Sequence, residues 1–457
     1  MKLRAFRRLG GVSLVVALAG CATYHPVPLP KGPKLASGLA GLDLRIPDSH
    51  TPQGSVVLNP HRALRPAQVA LLAAINDPDL VYERSRVVTA TAKLKAGQTL
   101  PNPSLGLSYA ALISGPASAG AVTASISQDI QSLITYKARA EASHAIFEQL
   151  SATVLWREWQ VARKAQFLAV SIHFDDRELA IRRSNVHLLS TQLAAIRQAA
   201  GAGNAALTAE APIEAALAAA QQGLASARMA KLKHWIALDN LLGLTPSARF
   251  AIAPPAAARV PHDLRGLIAT LPQRRPDIVA LRMGYAASQA SVRAAILTQF
   301  PPFSFGIAGG SDTSKVVSAG PQITMNLPIF HGAGPQISLQ RATRAEMRKQ
   351  YRARLDTAAG EALGLKARFD LNARLVPEAR RDADLAGKTL AFAEKAYNVQ
   401  EIDQRTLVDF ATAATQRKLD LISSQRALYD TALGLSTALG VDLPVVALSQ
   451  PIGVTKP

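Results

Sequence analysis

The chain has 457 residues, with 51 Lys and Arg against 32 Asp and Glu, for a formal net charge of +19. Its single cysteine excludes an intramolecular disulfide, so packing must stabilise the fold. Basic and acidic residues are interspersed along most of the chain, which argues for a solvated, arginine-rich surface and against a nucleic-acid partner.

Residues 1–20 begin with Lys2, Arg4, Arg7 and Arg8, continue through the apolar Val12–Ala19 and end on small residues. This is the pattern of a secretory signal, too short for a permanent membrane helix. Leu18-Ala19-Gly20-Cys21 resembles the lipobox of bacterial lipoproteins. The resemblance implies cleavage before Cys21 and a covalent diacylglycerol and N-acyl lipid on that residue. Ala22 in the next position then implies sorting to the outer membrane. Residues 21–62 contain Pro26, Pro28, Pro30, Pro33, Pro47, Pro52 and Pro60 and lack a sustained period, which reads as an extended tether. No later apolar run is long enough for a transmembrane helix, so any membrane crossing must use β-strands.

The remainder is written twice. Asn76-Asp77-Pro78-Asp79-Leu80 recurs as Arg274-Arg275-Pro276-Asp277-Ile278, and Pro103-Ser104-Leu105 recurs as Pro301-Pro302-Phe303, both at an offset of 198. Leu242-Gly243 recurs as Leu439-Gly440 at an offset of 197. The reading is a first repeat at 63–250, a proline-rich linker at 251–262, a second repeat at 263–445 and a tail at 446–457. Asp79 and Asp277 each follow a helix-starting proline, where a carboxylate favours the exposed amide groups.

Each repeat contains a helix, two short strands, a very long helix and another helix. Leu105, Leu107, Tyr109, Ala111 and Ile113 alternate with Ser104, Gly106, Ser108 and Ala110, and Val122, Ala124 and Ile126 alternate with Thr123, Ser125 and Ser127. In the second repeat, Phe303, Phe305 and Ile307 alternate with Ser304 and Gly306, as do Ile323, Met325 and Leu327 with Gln322, Thr324 and Asn326. Loops at 115–120 and 309–315 are expected to close two hairpins. One apolar and one small or polar face suits a membrane barrel strand and equally a half-buried soluble sheet. Tyr109, Phe303 and Phe305 fit either an aromatic belt at a membrane interface or core packing.

From Ile134 to Ala200 there is neither Pro nor Gly, and one helix over that span would reach ~100 Å at ~1.5 Å per residue. Val161, Ala165, Leu168, Ile172, Leu179, Val186, Leu189, Leu193 and Ile196 form a coiled-coil seam along it, broken by Asp175 and Arg182. The last helix repeats Leu407, Ala414, Leu421, Leu428 and Leu435 at heptad spacing. Its partner from Gly334 to Asn398 contains Gly360, Gly364, Pro377 and Gly387, and Pro377 is expected to kink or split it.

In this order, Arg275-Pro276-Asp277-Ile278, Phe300-Pro301-Pro302-Phe303 and Leu327-Pro328-Ile329-Phe330-His331-Gly332 resemble segments of the TolC-type outer-membrane efflux family, in its lipoprotein branch serving RND-type pumps. Leu100-Pro101-Asn102-Pro103 and Ser127-Gln128 resemble the members that serve heavy-metal exporters. The resemblance covers Pro66 to Pro444 and the lipobox. It implies an α+β membrane protein: a long antiparallel coiled-coil barrel continuous with a transmembrane β-barrel, trimeric, with four strands per chain. The implied function is a passive exit duct for small toxic compounds, whether drugs, organic anions or metal cations. Its implied partners are two further copies, a periplasmic adaptor and an inner-membrane pump, with the helical part in the periplasm.

The segment Tyr397 to Asp409 resembles the turn and helix at which family members constrict the periplasmic aperture with acidic residues. Counted from Tyr397, Asp409 falls on the widely shared aspartate and Thr406 where some members carry a second, and Asp403 lies in the same segment. Equal charges from three copies would focus the field in a narrow pore. An ordinary helix aspartate paired with Arg405 at i−4 is the competing reading. Gln400 stands where the family has a turn glycine and Ile402 where some members have a gate arginine. The first-repeat turn keeps Gly201 and Gly203.

Catalytic signatures are lacking: the sequence has no HExxH, CxxC, glycine-rich phosphate loop or GxSxG, so neither an enzyme nor a resident metal is expected. The alternative from another class is a lipid-anchored periplasmic coiled-coil scaffold without a pore. That alternative leaves the repeated strand pairs without a purpose.

Overall fold

The computed structural model describes residues 24–47, 55–115, 119–202, 210–327, 329 and 332–441. Cys21, Gly203, Pro328, Phe330, His331, Pro444 and the 446–457 tail lie outside these residues. The chain divides into two units, Met1–Leu35 and Ala36–Pro457. In the first, residues 24–35 form neither helix nor strand.

The second unit begins as a packed belt. Leu39–Gly41 forms a 3-10 turn, and β1 (Arg45–Pro47) pairs antiparallel with β2 (Ser55–Val57). Leu39, Ile46, Leu58 and Leu64 are buried against Leu168, Ile172, Trp235 and Leu242. Parallel bridges Ala36 to Leu244 and Leu64 to Ile252 fasten the belt to the chain that follows the first repeat's last helix. Within the expected tether over 21–62, residues 36–47 and 55–62 are therefore built structure. Its prolines punctuate rather than prevent the burial of spaced apolar residues.

The helices start and stop where local chemistry directs. α1 (Pro66–Asn76) and α2 (Pro78–Gly97) begin with proline, and the Asp77 carboxylate caps α2 by accepting from the Leu80 amide at 2.9 Å. β3 (Ser104–Ala110) and β4 (Ala121–Asp129) lead into α3, a 72-residue helix over Ile130–Gly201 whose cap Asp129 accepts from the Ser132 amide. α4 (Glu210–Leu242) follows, and Gly243 adopts φ +68 immediately after it. The second repeat supplies short α5 (Leu264–Ala269) and α6 (Leu271–Arg274), then α7 (Pro276–Leu297), β5 (Phe303–Ser311) and β6 (Val317–Met325). It ends with α8 (Gly334–Asn398) and α9 (Gln404–Leu439), the latter closed by Gly440 at φ +67. In the left-handed region glycine avoids the steric cost other residues meet.

α8 runs continuously through Pro377 instead of splitting there. Pro377 and Ala373, whose carbonyl loses its partner, are both on the exposed side. Solvent can take up the missing bond while α9 packs along the other flank.

The strands form one antiparallel sheet in the order β3-β4-β5-β6. Leu105, Ile126, Ile307 and Pro321 are aligned across it, as are Tyr109, Val122, Ser311 and Val317. The opposite face aligns Ser104, Ser127, Gly306 and Gln322, then Gly106, Ser125, Ala308 and Gly320, then Ser108, Thr123, Gly310 and Ser318. β3 ends at Ala110, short of Ala111 and Ile113, and β5 extends through Ser311, so the second hairpin turn is shorter than the expected 309–315 loop. Gly309 and Gly310 belong to the strand, and neighbouring strands approach both closely: a Cβ on Gly310 would clash with the Val122 carbonyl oxygen of β4, and one on Gly309 would lie 3.1 Å from Ala319 Cβ of β6.

α3 packs against α2 and α7 near the sheet, and against α4 and α9 further along; α8 packs against α7 and then α9. The lateral succession is thus α2-α3-α7-α8 beside the sheet and α4-α3-α9-α8 beyond it. The seams of the two long hairpins are buried at Ala165, Leu168, Ile172, Leu179, Leu189, Leu193 and Ile196, and at Leu407, Ala414 and Leu435. Among the described residues no helix is long and apolar enough to cross a membrane.

Candidate functional site

The turn between α8 and α9 lies at the end of the helices distant from the sheet. Leu189, Leu193, Ile196, Ile213 and Val408 form a small core there. A polar chain crosses from turn to α3: the Tyr397 hydroxyl donates to Gln404 Oε1 at 2.7 Å, and Gln404 Nε2 donates to the Gln192 side chain. Thr415 to Asn185 at 3.2 Å continues the tie. Gln400 sits at φ +62. The glycine expected by resemblance is thus replaced at a left-handed position, where a side chain costs roughly 1–2 kcal/mol.

Asp403 is the N-cap of α9. Its Oδ1 accepts from the Thr406 amide at 2.8 Å, and hydrogen bonds from Thr406 hold the carboxyl below its usual range. Thr406 serves that cap. Asp409 is exposed on the first turns of α9, and no ion pair joins it to Arg405. Tyr109 is 70% and Phe305 50% exposed on the apolar face of the sheet, whereas Phe303 is half-buried at its edge.

Two buried ionic junctions join distant parts of the chain. At the start of α7, Arg275 is 1% exposed; its guanidinium donates to both oxygens of Asp277 at 2.9 Å and to the Ala438 carbonyl at 3.2 Å. It lies 4.8 Å from the Trp156 ring centroid and 3.5 Å from Glu361. Asp277 also accepts from Arg354 at 2.7 Å. Burial would raise the Asp277 pKa, but the bonds from Arg275 and Arg354 outweigh it and hold the carboxyl below the usual range.

The second junction occupies the break in the α3 seam. Asp175, 3% exposed, meets His234 Nδ1 of α4 at 2.6 Å and Arg426 of α9 at 3.1 Å. One turn beyond Arg426, Asp430 faces a cavity of about 700 Å³ that Arg65, Arg163, Pro254, Arg259 and Tyr429 also line. Asp430 Oδ1 is buried without a hydrogen-bond partner. The Asp175 position was visible in sequence as a seam break, but nothing local identified His234 and Arg426. Among the described residues no group of three or more His, Cys, Asp or Glu is arranged to hold a metal.

No family model matches the chain. Protein CyaE of Bordetella pertussis is 28% identical over 249 residues, spanning 51% of this chain and 49% of that protein. The chain thus spans about half the length of this curated relative. Among solved structures, CusC superposes with TM-score 0.69 at 17% identity over 82% of this chain and 92% of that one. The Campylobacter jejuni CmeC outer membrane channel gives 0.70 at 15% over 83% and 86%. The Neisseria gonorrhoeae MtrE outer membrane channel in its open state gives 0.65 at 14% over 91% and 98%.

Proposed function

We propose that this chain, which has the fold of the TolC-type outer-membrane efflux channels, is the outer-membrane exit duct of a tripartite efflux system. The observation that carries this reading is the sheet itself. One face presents exposed Leu105, Leu107, Tyr109, Val122, Ile126, Ile307 and Ile323, and the other presents mainly serine, threonine, glycine and alanine, with Gln322 and, at its base, Asp129. Such a division suits lipid on one side and water on the other. β3 and β6 each keep one unpaired edge. In hydrocarbon, unpaired backbone groups cost several kcal/mol each, so the sheet must close with further copies.

The helices support the same closure. On α4, Ala211, Ala215, Ala218, Gln222, Ala225, Met229, Leu232 and Ile236 form a second coiled-coil seam that is exposed along its length. On α8, the open space at Gly360 and Gly364 gives a smooth flank for a close-packed neighbour. These are the two outer members of the helical succession, and in a ring each would meet the other in the next copy. Three copies follow the fold's resemblance and give a barrel of twelve strands. Conduction is passive, driven by an inner-membrane pump joined through a periplasmic adaptor. Lipid on Cys21 would assist insertion beside the strands.

The purified protein is expected to run as a heat-labile trimer and to conduct ions in a planar bilayer. A monodisperse monomer without conductance overturns the channel in favour of a lipid-anchored scaffold. Within the channel, exposed Asp409 is the gate residue of choice, because Asp403 and Thr406 are engaged in capping α9. Asp409→Ala should raise single-channel conductance, and an unchanged value returns Asp409 to the ordinary helix surface.

A further inference from the structure

The part of α8 nearest the sheet carries three chemically different sides. Tyr351, Leu355 and Ala358 pack with Leu271 and Ile278, and Arg354 bonds Asp277, which fixes the side turned to α7. Leu339, Thr343, Met347 and Gln350 share a second side with no basic residue on it, and Leu339 is 57% exposed. Arg341, Ala345, Arg348 and Arg352 recur at four-three-four spacing on a third side, with Lys349 beside them. All three arginines and Lys349 are exposed. Arg352 is answered by Asp356 at 2.9 Å, but no acidic side chain among the described residues pairs with Arg341, Arg348 or Lys349.

If the chain forms the trimeric channel proposed above, α8 is an element of a wall one helix thick. One flank meets α7 and the other meets the next copy, which leaves one side outward and one side inward. The outward side is the one bearing Leu339, because it continues the apolar run of exposed Leu327 and Ile329 from the apolar sheet face. The inward side is then the basic one. At ~1.5 Å per residue, Arg341 to Arg352 lie roughly 10–27 Å beyond the start of α8, immediately below the barrel. The inward sheet face above them carries one acidic residue per chain, Asp129 at its base beside Ser304 and engaged in capping α3, against three unanswered basic residues on α8.

We propose that this basic side of α8 forms a ring beneath the barrel that makes the duct selective for anionic solutes, organic anions among them. A ring of like charge in a confined lumen concentrates counter-ions and excludes co-ions. The ring also answers part of the chain's excess of basic residues, which the ion pairs do not neutralise.

The test is the reversal potential of the full-length trimer in a planar bilayer under a potassium chloride gradient. Wild type should prefer chloride, and R341Q/R348Q/K349Q should lower the chloride-to-potassium permeability ratio by at least ~3-fold. The same comparison in an Asp409→Asn background removes the opposing charge at the distant end. A conducting wild type that prefers potassium in that background, or a triple variant with an unaltered ratio, overturns the proposal. An unaltered ratio together with lost binding to phosphatidylglycerol vesicles would place the basic side outward against lipid. Absence of conductance removes the channel reading itself, and this inference falls with it.

Discussion

Arg275→Ala is expected to lower the unfolding free energy by about 3 kcal/mol, the low end of the cost of breaking a buried ion pair, because Arg354 stays with Asp277. The guanidinium occupies a site where four elements converge: Asp277 of α7, Glu361 of α8, the Ala438 carbonyl near the end of α9 and the Trp156 ring of α3. Alanine leaves that carbonyl without its donor and opens space beneath the indole. Arg354 remains to answer Asp277 at 2.7 Å, so the carboxylate is not abandoned outright. The loss therefore falls mainly on α9, whose end Arg275 secures two residues before the left-handed Gly440. Arg275→Lys keeps the charge but not the two-pronged geometry and should lie between wild type and alanine. Urea unfolding followed by tryptophan fluorescence measures both variants. A midpoint for Arg275→Ala equivalent to less than ~1 kcal/mol would show that the other contacts hold α9 without the guanidinium.

That junction also marks where local sequence reasoning reached and where it stopped. The 72-residue helix was legible because nothing between Ile134 and Ala200 breaks a helix, and the strands because their apolar residues alternate. Both signals are carried by near neighbours. Arg275 was visible as part of a recurring segment, but its partners at Glu361 and Ala438 are remote in sequence. Asp175 was visible as a defect in a seam, whereas its partners His234 and Arg426 lie 59 and 251 residues away. The belt formed by residues 36–47 and 55–64 was hidden for a different reason. Its leucines are spaced irregularly among prolines, and only the surface made by α3 and α4 gives that spacing a use. Gly309 and Gly310 look like a turn because a strand rarely holds two glycines; the close approach of β6 to the first and β4 to the second reverses that reading. Asp403 reads in sequence as one of the gate candidates, and only the fold shows its carboxylate capping α9, although its place four residues before Leu407 also suits a cap.

Asp430 produces the second large effect, and its sign depends on pH. Burial pushes its carboxyl up to about 6, more strongly than the charges of Arg426 and His234 draw it down. A carboxyl whose folded pKa exceeds its unfolded value of 3.8 favours the folded state when protonated. Its contribution is therefore complete below about pH 4 and is lost as the pH rises through about 6. Asp430→Asn supplies a neutral side chain of the same shape at every pH. Allowing for the solvent that reaches this cavity, the variant should be more stable than wild type by about 1–2 kcal/mol at pH 8 and indistinguishable from it near pH 4. The difference between the two unfolding curves isolates Asp430 from Asp175 and His234, which are common to both proteins. A difference that stays constant from pH 4 to pH 8 would mean that Asp430 titrates in the folded protein as it does in the unfolded chain, so that the cavity is as wet as bulk solvent. A difference that grows through pH 6 would identify the crossing of α3, α4 and α9 as a junction loosened by deprotonation, where the two long helical hairpins are tied together by charge.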